Sequence, residues 1–296
     1  MILVTGATGF IGSALVRRLA AMGKPVRILL RPSSQSPNIP RGVPVEVAVA
    51  SLNDERGLRA AMKGVTAVYH LVSTERYGSR ADLNGVDING TQAVTQAASL
   101  AGVKRFFFMS YLGADRASAY PVMKTKGIAE GIVQNSGVPY TIFRSAAVFG
   151  PGDQFTMQIM RLLKAYPFFF VLPAGGTAVL QPLWIEDLVT CLSWALEDPQ
   201  TVNKIYQIGG CEYLQYREVI EIILRKTSSK RMLLSISPPF LRMLTLFAEQ
   251  MLRNFPISIF WLDYLATDRT CALDSLPRLM GLMPARFSQQ IDFLLK

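Results

Sequence analysis

Gly6, Gly9 and Gly12 stand three apart in the stretch Gly6-Ala7-Thr8-Gly9-Phe10-Ile11-Gly12. That spacing suits a tight turn that brings bare backbone N–H groups and a helix N-terminus against a pyrophosphate. Thr8, Phe10 and Ile11 share the turn and count with the glycines among the residues expected to touch a dinucleotide. Arg31 follows Gly12 by nineteen residues. An acidic side chain at that place would hold the ribose hydroxyls of NAD. A guanidinium there pairs instead with a 2′-phosphate and stacks on adenine, so the expected cofactor is NADP(H) ahead of NAD(H). Arg27 is expected to help. His70 is the only histidine. With no carboxylate or serine partner apparent in the sequence, it is expected to pack near the cofactor and not to act as a base. Cys191, Cys211 and Cys271 have neither a zinc spacing nor a disulfide framework, and reduced thiols without a metal are expected. Gly150-Pro151-Gly152-Asp153 reads as a turn first and a substrate loop second, and Asp187 as a helix anchor.

These groups need elements to hold them. Ile2 to Val4 is predicted as a strand that enters the glycine turn, and Ser13 to Leu19 as the helix that leaves it. Further strands are predicted over 25–30, 43–49, 67–72, 105–110 and 140–143. Helices are predicted over 54–62, 90–101 and 124–135, and Arg31-Pro32-Ser33-Ser34 as a turn. Strands that alternate with helices across short loops predict a doubly wound parallel sheet. Past Gly150 the pattern changes. Helices are expected over 155–163, 186–196 and 216–226, a strand over 204–208, and an aromatic loop or short strand over 165–173. A long amphipathic helix is expected from Pro238 to Phe255. Residues 1–150 are thus read as the dinucleotide-binding domain, which also receives later strand and helix segments. Residues 151–296 are read as a smaller α/β cap over the open end of the sheet.

Charge divides along the same line. Residues 1–150 hold 17 Lys/Arg against 8 Asp/Glu, while residues 151–296 hold 14 against 13. The basic half suits an anionic cofactor, with charge left over for an anionic membrane surface or an acidic partner. No recognition motif supports nucleic acid as a partner. No signal peptide is read at the first strand, and no apolar run is long enough to span a bilayer. A cytoplasmic protein is expected, peripheral on the inner face of a membrane if its C-terminal half binds there. Residues 225–253 favour such contact: they carry Arg225, Lys226, Lys230, Arg231, Arg242 and Arg253 against Glu249 alone, among many bulky apolar residues. Phe168-Phe169-Phe170 and Ile259-Phe260-Trp261 add aromatic surface.

Several stretches together resemble the atypical, extended-like short-chain dehydrogenase/reductases. They are the glycine turn, Val68-Tyr69-His70-Leu71, Val86-Asp87-Ile88-Asn89-Gly90-Thr91, Val103-Lys104-Arg105-Phe106 and Phe143-Arg144-Ser145. Phe149-Gly150-Pro151-Gly152, Gln181-Pro182-Leu183-Trp184-Ile185-Glu186-Asp187-Leu188 and Asp268-Arg269-Thr270-Cys271-Ala272-Leu273-Asp274 extend the likeness over essentially the whole chain. Within that group the chain is similar to bacterial relatives of the nucleotide-binding accessory subunit of mitochondrial complex I. The resemblance implies a Rossmann-type fold. It puts Ser51, with Leu52, where an adenine-contacting Asp often stands, and runs Leu71, Val72 and Ser73 under the ribose.

In active members of the family a tyrosine four residues before a lysine works as acid/base, and a serine or threonine orients the substrate carbonyl. Two frames are open. Tyr120 and Lys124 have the spacing themselves. Lys126 has the family's glutamate four residues on, at Glu130, but places Val122 where the tyrosine belongs. Ser110 ends the predicted fifth strand, and the places just after it, where the hydroxyl usually lies, hold Tyr111 and Leu112. Tyr120, Lys126 and Ser110 are the candidate catalytic set, with Lys124 as the alternative lysine and Tyr111 as a further phenol. Two functions follow. One is an NADP(H)-dependent oxidoreductase or epimerase-like enzyme acting on an apolar quinone, lipid or isoprenoid. The other is a non-catalytic NADP(H)-binding subunit or assembly factor of a membrane or respiratory complex.

Overall fold

The structure is a computed structural model that describes residues 1–33, 39, 42–251 and 257–295. Its elements run β1 (Ile2–Thr5), α1 (Phe10–Ala21), β2 (Val26–Leu30), β3 (Glu46–Val49), α2 (Glu55–Ala61), β4 (Ala67–His70), α3 (Gly90–Leu100), β5 (Arg105–Tyr111), α4 (Pro121–Gln134) and β6 (Tyr140–Ser145). There follow β7 (Val148–Phe149), α5 (Phe155–Ala165), β8 (Phe169–Pro173), β9 (Val179–Leu180), β10 (Leu183–Trp184), α6 (Ile185–Ala195), β11 (Lys204–Ile208), β12 (Leu214–Gln215), α7 (Tyr216–Lys226), β13 (Met232–Ile236), α8 (Pro238–Met251), α9 (Ile259–Tyr264) and α10 (Ser275–Met280). Among the described residues no helix is long and apolar enough to cross a membrane.

Two compact units result. Residues 1–74, 82–144 and 188–207 form the first; residues 75–81, 145–187 and 208–296 form the second. The first is built on a seven-stranded parallel sheet in the order β11-β6-β5-β4-β1-β2-β3. β1 pairs in parallel with β2 on one side and β4 on the other, and the strand order reverses between β1 and β4. That reversal opens a crevice beyond the carboxyl ends of the strands, the Rossmann arrangement.

Helices cover both faces of the sheet, so its central strands are apolar on both. Phe106 and Phe108 of β5 point into a core with Val68, Leu58, Val94, Ala129 and Val133, which come from β4, α2, α3 and α4. Phe107 points the other way and stacks on Tyr69 at 4.4 Å. The Tyr69 hydroxyl donates to the carbonyl of Leu192 on α6 at 2.7 Å. At the edge, β3 leaves Val47 and Val49 exposed.

In the second unit β8 and β13 pair in parallel from Phe169↔Met232 to Pro173↔Ile236. The buried Glu249 of α8 accepts from the N–H groups of Ser79 and Ile259, at 3.0 and 3.2 Å, and so ties residues 75–81 to α8 and α9. The opposite face of α8 leaves Phe240, Met243, Leu244, Phe247 and Met251 exposed.

Several element boundaries move from the expected ones. Helix α4 begins at Pro121, three residues before the expected start, because proline is favoured at the first helical position. β3 begins at Glu46 and not at Val43. Met232–Ile236 forms a strand where none is expected from the sequence. The expected helix from Pro238 is described to Met251; Leu252 to Phe255, with Arg253 among them, lie outside the described residues, as does Ser34 of the expected turn.

Candidate functional site

Strands β1, β2, β4 and β5 end on one edge of the sheet, and each is followed there by residues of interest. After β1, Gly6 takes φ +71°, and a Cβ on it would stand 2.8 Å from the Leu71 carbonyl group. Thr5 and Leu71 are joined by an N–H···O bond of 3.2 Å. The glycine turn therefore lies flush against the run Leu71–Val72, which only a residue without a side chain permits. A Cβ on Gly12 would meet the Gly6 carbonyl oxygen at 2.2 Å, so the first turn of α1 closes directly on the loop. Gly9 caps α1 with no side-chain hydrogen bond, and its first turn holds no acidic residue. The N–H groups of that turn are thus unclaimed by any cap and suit an anion. This cradle fits a dinucleotide pyrophosphate.

Arg31 follows β2 and is exposed, with no carboxylate in ion-pair reach among the described residues. Arg27 does not join it. Its guanidinium is held by Glu46 at 2.7 Å and by the carbonyls of Ala61 and Lys63, toward the other end of the strand, so the expectation that it assists is corrected. Ser51 accepts from the Asn53 N–H at 3.3 Å, and Leu52 packs at the position a Cβ on Gly90 would fill.

Lys126 and Lys124 part company on α4. Lys126 is buried and Lys124 exposed, as two residues on opposite sides of a helix must be. The Lys126 ammonium lies 3.5 Å from Asp87, itself buried. Asp87 also accepts from the Ser73 hydroxyl at 2.7 Å and from the N–H and hydroxyl of Thr74. One carboxylate thus joins the strand end after β4 to the lysine of α4. Asp87 is the buried residue of a π-helical turn, Leu83–Asn89, that leads into α3. Such turns recur at functional sites. The ammonium lies over the rings of Phe108, at 5.6 Å, and Tyr111, at 5.8 Å.

Ser110, between Phe108 and Tyr111 on β5, is buried, and its hydroxyl has no hydrogen-bond partner among the described residues. A buried hydroxyl left unsatisfied by the protein is completed by an ordered water or by a ligand. Val122, one turn before Lys126, is buried and offers no hydroxyl. Tyr120 is the half-buried N-cap of α4, followed by Pro121. Glu130 is buried and grips Arg144 through bonds of 2.9 and 3.2 Å to Nε and 2.5 Å to Nη2, which fastens α4 to β6.

His70 is enclosed. Its Nε2 meets the Thr91 hydroxyl at 3.1 Å, and that hydroxyl donates to the Asp87 carbonyl at 2.6 Å. Thr91 must therefore accept from His70, which fixes the N–H on Nε2 and leaves Nδ1 to accept from the Thr5 hydroxyl at 2.7 Å. Burial first, then the neighbouring Lys126, push the imidazole down to about 3, so it is neutral at physiological pH.

The second unit's candidates hold structure. Asp153 accepts from the N–H groups of Gly150, Thr156 and Met157 and so caps α5; burial raises its carboxyl above the usual range against those bonds. Asp187 accepts from the Ala285 N–H at 2.8 Å. Among the described residues Cys211 and Cys271 of this unit, and Cys191 of the first, form no disulfide.

Sequence reasoning singled out neither Asp87 nor Thr74 as a site residue. Asp87 stands in the run Val86–Thr91, three residues ahead of a helix start, but nothing local shows that α4 will turn Lys126 toward it.

The family model for NAD(P)H-binding proteins matches residues 6–159. The chain is 30% identical to NADH dehydrogenase [ubiquinone] 1 alpha subcomplex subunit 9, mitochondrial, of Arabidopsis thaliana, over 74% of this chain and 56% of that one. It is 33% identical to a ceramide reductase of Caulobacter vibrioides, over 63% of this chain and 58% of that one. It therefore spans just over half the length of each relative. In fold it superposes on the UDP-glucose 4-epimerase of Thermus thermophilus, solved with NAD, with a TM-score of 0.74, 21% identity and coverage of 99% and 97% of the two chains.

Proposed function

This chain belongs to the NAD(P)H-binding family, as an atypical short-chain dehydrogenase/reductase-like member, and from that membership we propose that it is an NADP(H)-dependent reductase of a carbonyl on an apolar, lipid-like substrate. The observation that carries the reading is the buried, unpartnered hydroxyl of Ser110 on β5, the strand whose Phe108 and Tyr111 rings face the Lys126 ammonium. The likeness to a ceramide reductase supports the substrate class.

The glycine turn with Thr8, Phe10 and Ile11 holds the pyrophosphate, and Leu71, Val72 and Ser73 line the ribose beside it. Ser51 and Leu52 flank the adenine, and Arg31 takes the 2′-phosphate. The bound cofactor supplies a hydride. Ser110 donates a hydrogen bond to the substrate carbonyl oxygen. The Tyr111 phenol gives that oxygen its proton, and the Lys126 ammonium stabilises the charge left on the phenol. Asp87 is a positioning residue: it holds Lys126 and, through Ser73, the strand end. Tyr111 replaces Tyr120 in this role because Lys126 lies against the Tyr111 ring.

Steady-state NADPH oxidation with a long-chain ketone tests the reading. Ser110→Ala and Tyr111→Phe should each lower kcat by about a hundredfold or more with NADPH affinity unchanged, while Tyr120→Phe stays within a few-fold. Loss of turnover in Tyr120→Phe alone would overturn the assignment. For the cofactor, Arg31→Ala should weaken NADPH roughly tenfold to a hundredfold and leave NADH unchanged. Equal affinity of the native protein for the two cofactors would refute the phosphate role.

The second reading is a non-catalytic NADP(H)-binding subunit of a membrane-associated complex on the cytoplasmic side. Val122 favours it, since an apolar side chain fills the place one turn before the lysine, as does the likeness to a respiratory-complex subunit. NADPH binding without turnover on any apolar carbonyl would decide for it.

A further inference from the structure

The second unit carries a cleft of about 390 Å³ whose walls include Leu163, Lys164, Ser229, Arg231 and Leu295. Arg231 is held there by backbone. Its Nη1 donates to the Lys230 carbonyl at 2.8 Å and its Nη2 to the Leu163 carbonyl at 3.1 Å. Its Nε is buried with no hydrogen-bond partner among the described residues. Carbonyl oxygens fix the guanidinium but do not neutralise it. Among the described residues no carboxylate stands within ion-pair distance of Arg231, Lys164 or Lys230; the nearby Asp292 is taken by Lys226. An immobilised guanidinium with uncompensated charge, flanked by exposed ammonium groups, is complementary to phosphate.

Apolar side chains project beside these cations. The Met232 N–H donates to the Phe168 carbonyl at 3.0 Å, which sets the two residues side by side. Phe168 is 81% exposed and Met232 63%. Leu295, on the cleft wall, is also exposed. Met232 follows Arg231 directly, and Phe168 lies four residues past Lys164. Cations and apolar side chains therefore alternate within one local surface, with no acidic residue between them in the runs 164–168 and 230–232. A soluble phosphate uses only half of such a surface. A bilayer with anionic headgroups uses both halves.

We propose that this face, built from Lys164–Phe168 and Lys230–Met232, docks on an anionic phospholipid membrane. Arg231 and the two lysines meet the headgroup phosphates, and Phe168 and Met232 enter the acyl boundary. The docking stands whether or not the first unit carries out a reduction.

Co-sedimentation of the full chain with vesicles tests it, using phosphatidylcholine alone and phosphatidylcholine with about a third phosphatidylglycerol. The protein should bind the anionic vesicles, lose them at high salt, and leave the neutral ones largely unbound. Lys164→Gln combined with Lys230→Gln should weaken binding about thirtyfold, about fivefold for each charge. Phe168→Ser should weaken it about tenfold or more. Both variants replace exposed side chains, and unchanged NADPH binding checks that they fold. Phe247→Ser on α8 should have no effect. Equal binding to both vesicles, binding that survives the Lys and Phe168 variants, or loss in Phe247→Ser alone would overturn the proposal. So would millimolar inorganic phosphate releasing the protein from vesicles, since that would make the cleft a site for a soluble anion. Failure to bind either vesicle would overturn it too, and would leave this face to a protein partner.

Discussion

His70 and Lys126 are the two residues whose meaning depends most on what surrounds them. His70 is neutral in the folded protein down to about pH 3, whereas in the unfolded chain it protonates near 6.5. Below 6.5 the unfolded state binds the extra proton, so stability falls as pH drops from 6.5 toward 3. The slope this histidine adds is at most about 1.4 kcal/mol per pH unit. As it is the only histidine, urea titrations at pH 6.5 and about 5 should show the loss in the native protein, and His70→Gln should flatten it. An unaltered slope in the variant would place the acid sensitivity elsewhere. Lys126 and Asp87 form a buried pair, and removing one partner strands the other. Lys126→Met should cost about 3 kcal/mol or more, and the double variant Lys126→Met with Asp87→Asn should recover much of it. Additive losses in that cycle would show that the two charges do not interact.

Among the elements, the glycine turn with α1 is the least tolerant of change. Gly12→Ala would drive a methyl into the Gly6 carbonyl oxygen at 2.2 Å, so the helix must retreat from the loop. The expected result is loss of NADPH binding by more than about tenfold, read by cofactor fluorescence, with the rest of the sheet folded. Helix α4 shows how position within an element decides chemistry. Its start at Pro121 makes Tyr120 a cap and turns Lys124 to solvent, while Val122 and Lys126 face inward one turn apart. Helix α8 is divided in the same way. One side holds Glu249 against Ser79 and Ile259, and the other presents a bare apolar stripe. Glu249→Ala should release the backbone of residues 75–81, seen as faster hydrogen exchange at Ser79, because the N–H groups of Ser79 and Ile259 lose their buried acceptor. Protection unchanged at Ser79 would show that other contacts hold the segment.

At the scale of the molecule, charge and cofactor act together. The excess of basic residues lies in 1–150, most of which belongs to the first unit, where an anionic dinucleotide is expected to bind. NADPH at about a hundred times its Kd should stabilise the protein by about 2.7 kcal/mol, and NADH at the same concentration by distinctly less if Arg31 reads the phosphate. Matching thermal shifts with the two cofactors would contradict that. Because the chain forms two compact units, the shift is best read per transition, without assuming a single two-state melt.

The strand–glycine–helix opening, the alternation of β and α elements and the residue after β2 were all legible in order along the chain. Each depends on neighbours a few positions away: glycine spacing, hydrophobic period, a turn after a strand. Glu130 could be recognised beside Lys126 for the same reason, although its partner Arg144 could not. What the tertiary structure alone decided lies in pairs far apart in sequence. Asp87, in the turn before α3, meets Lys126 of α4, His70 is closed between Thr5 and Thr91, and Arg27 is captured by Glu46 and two carbonyls. Side-chain type sets what a residue can do; burial and the partner that the fold brings to it decide which of those things it does.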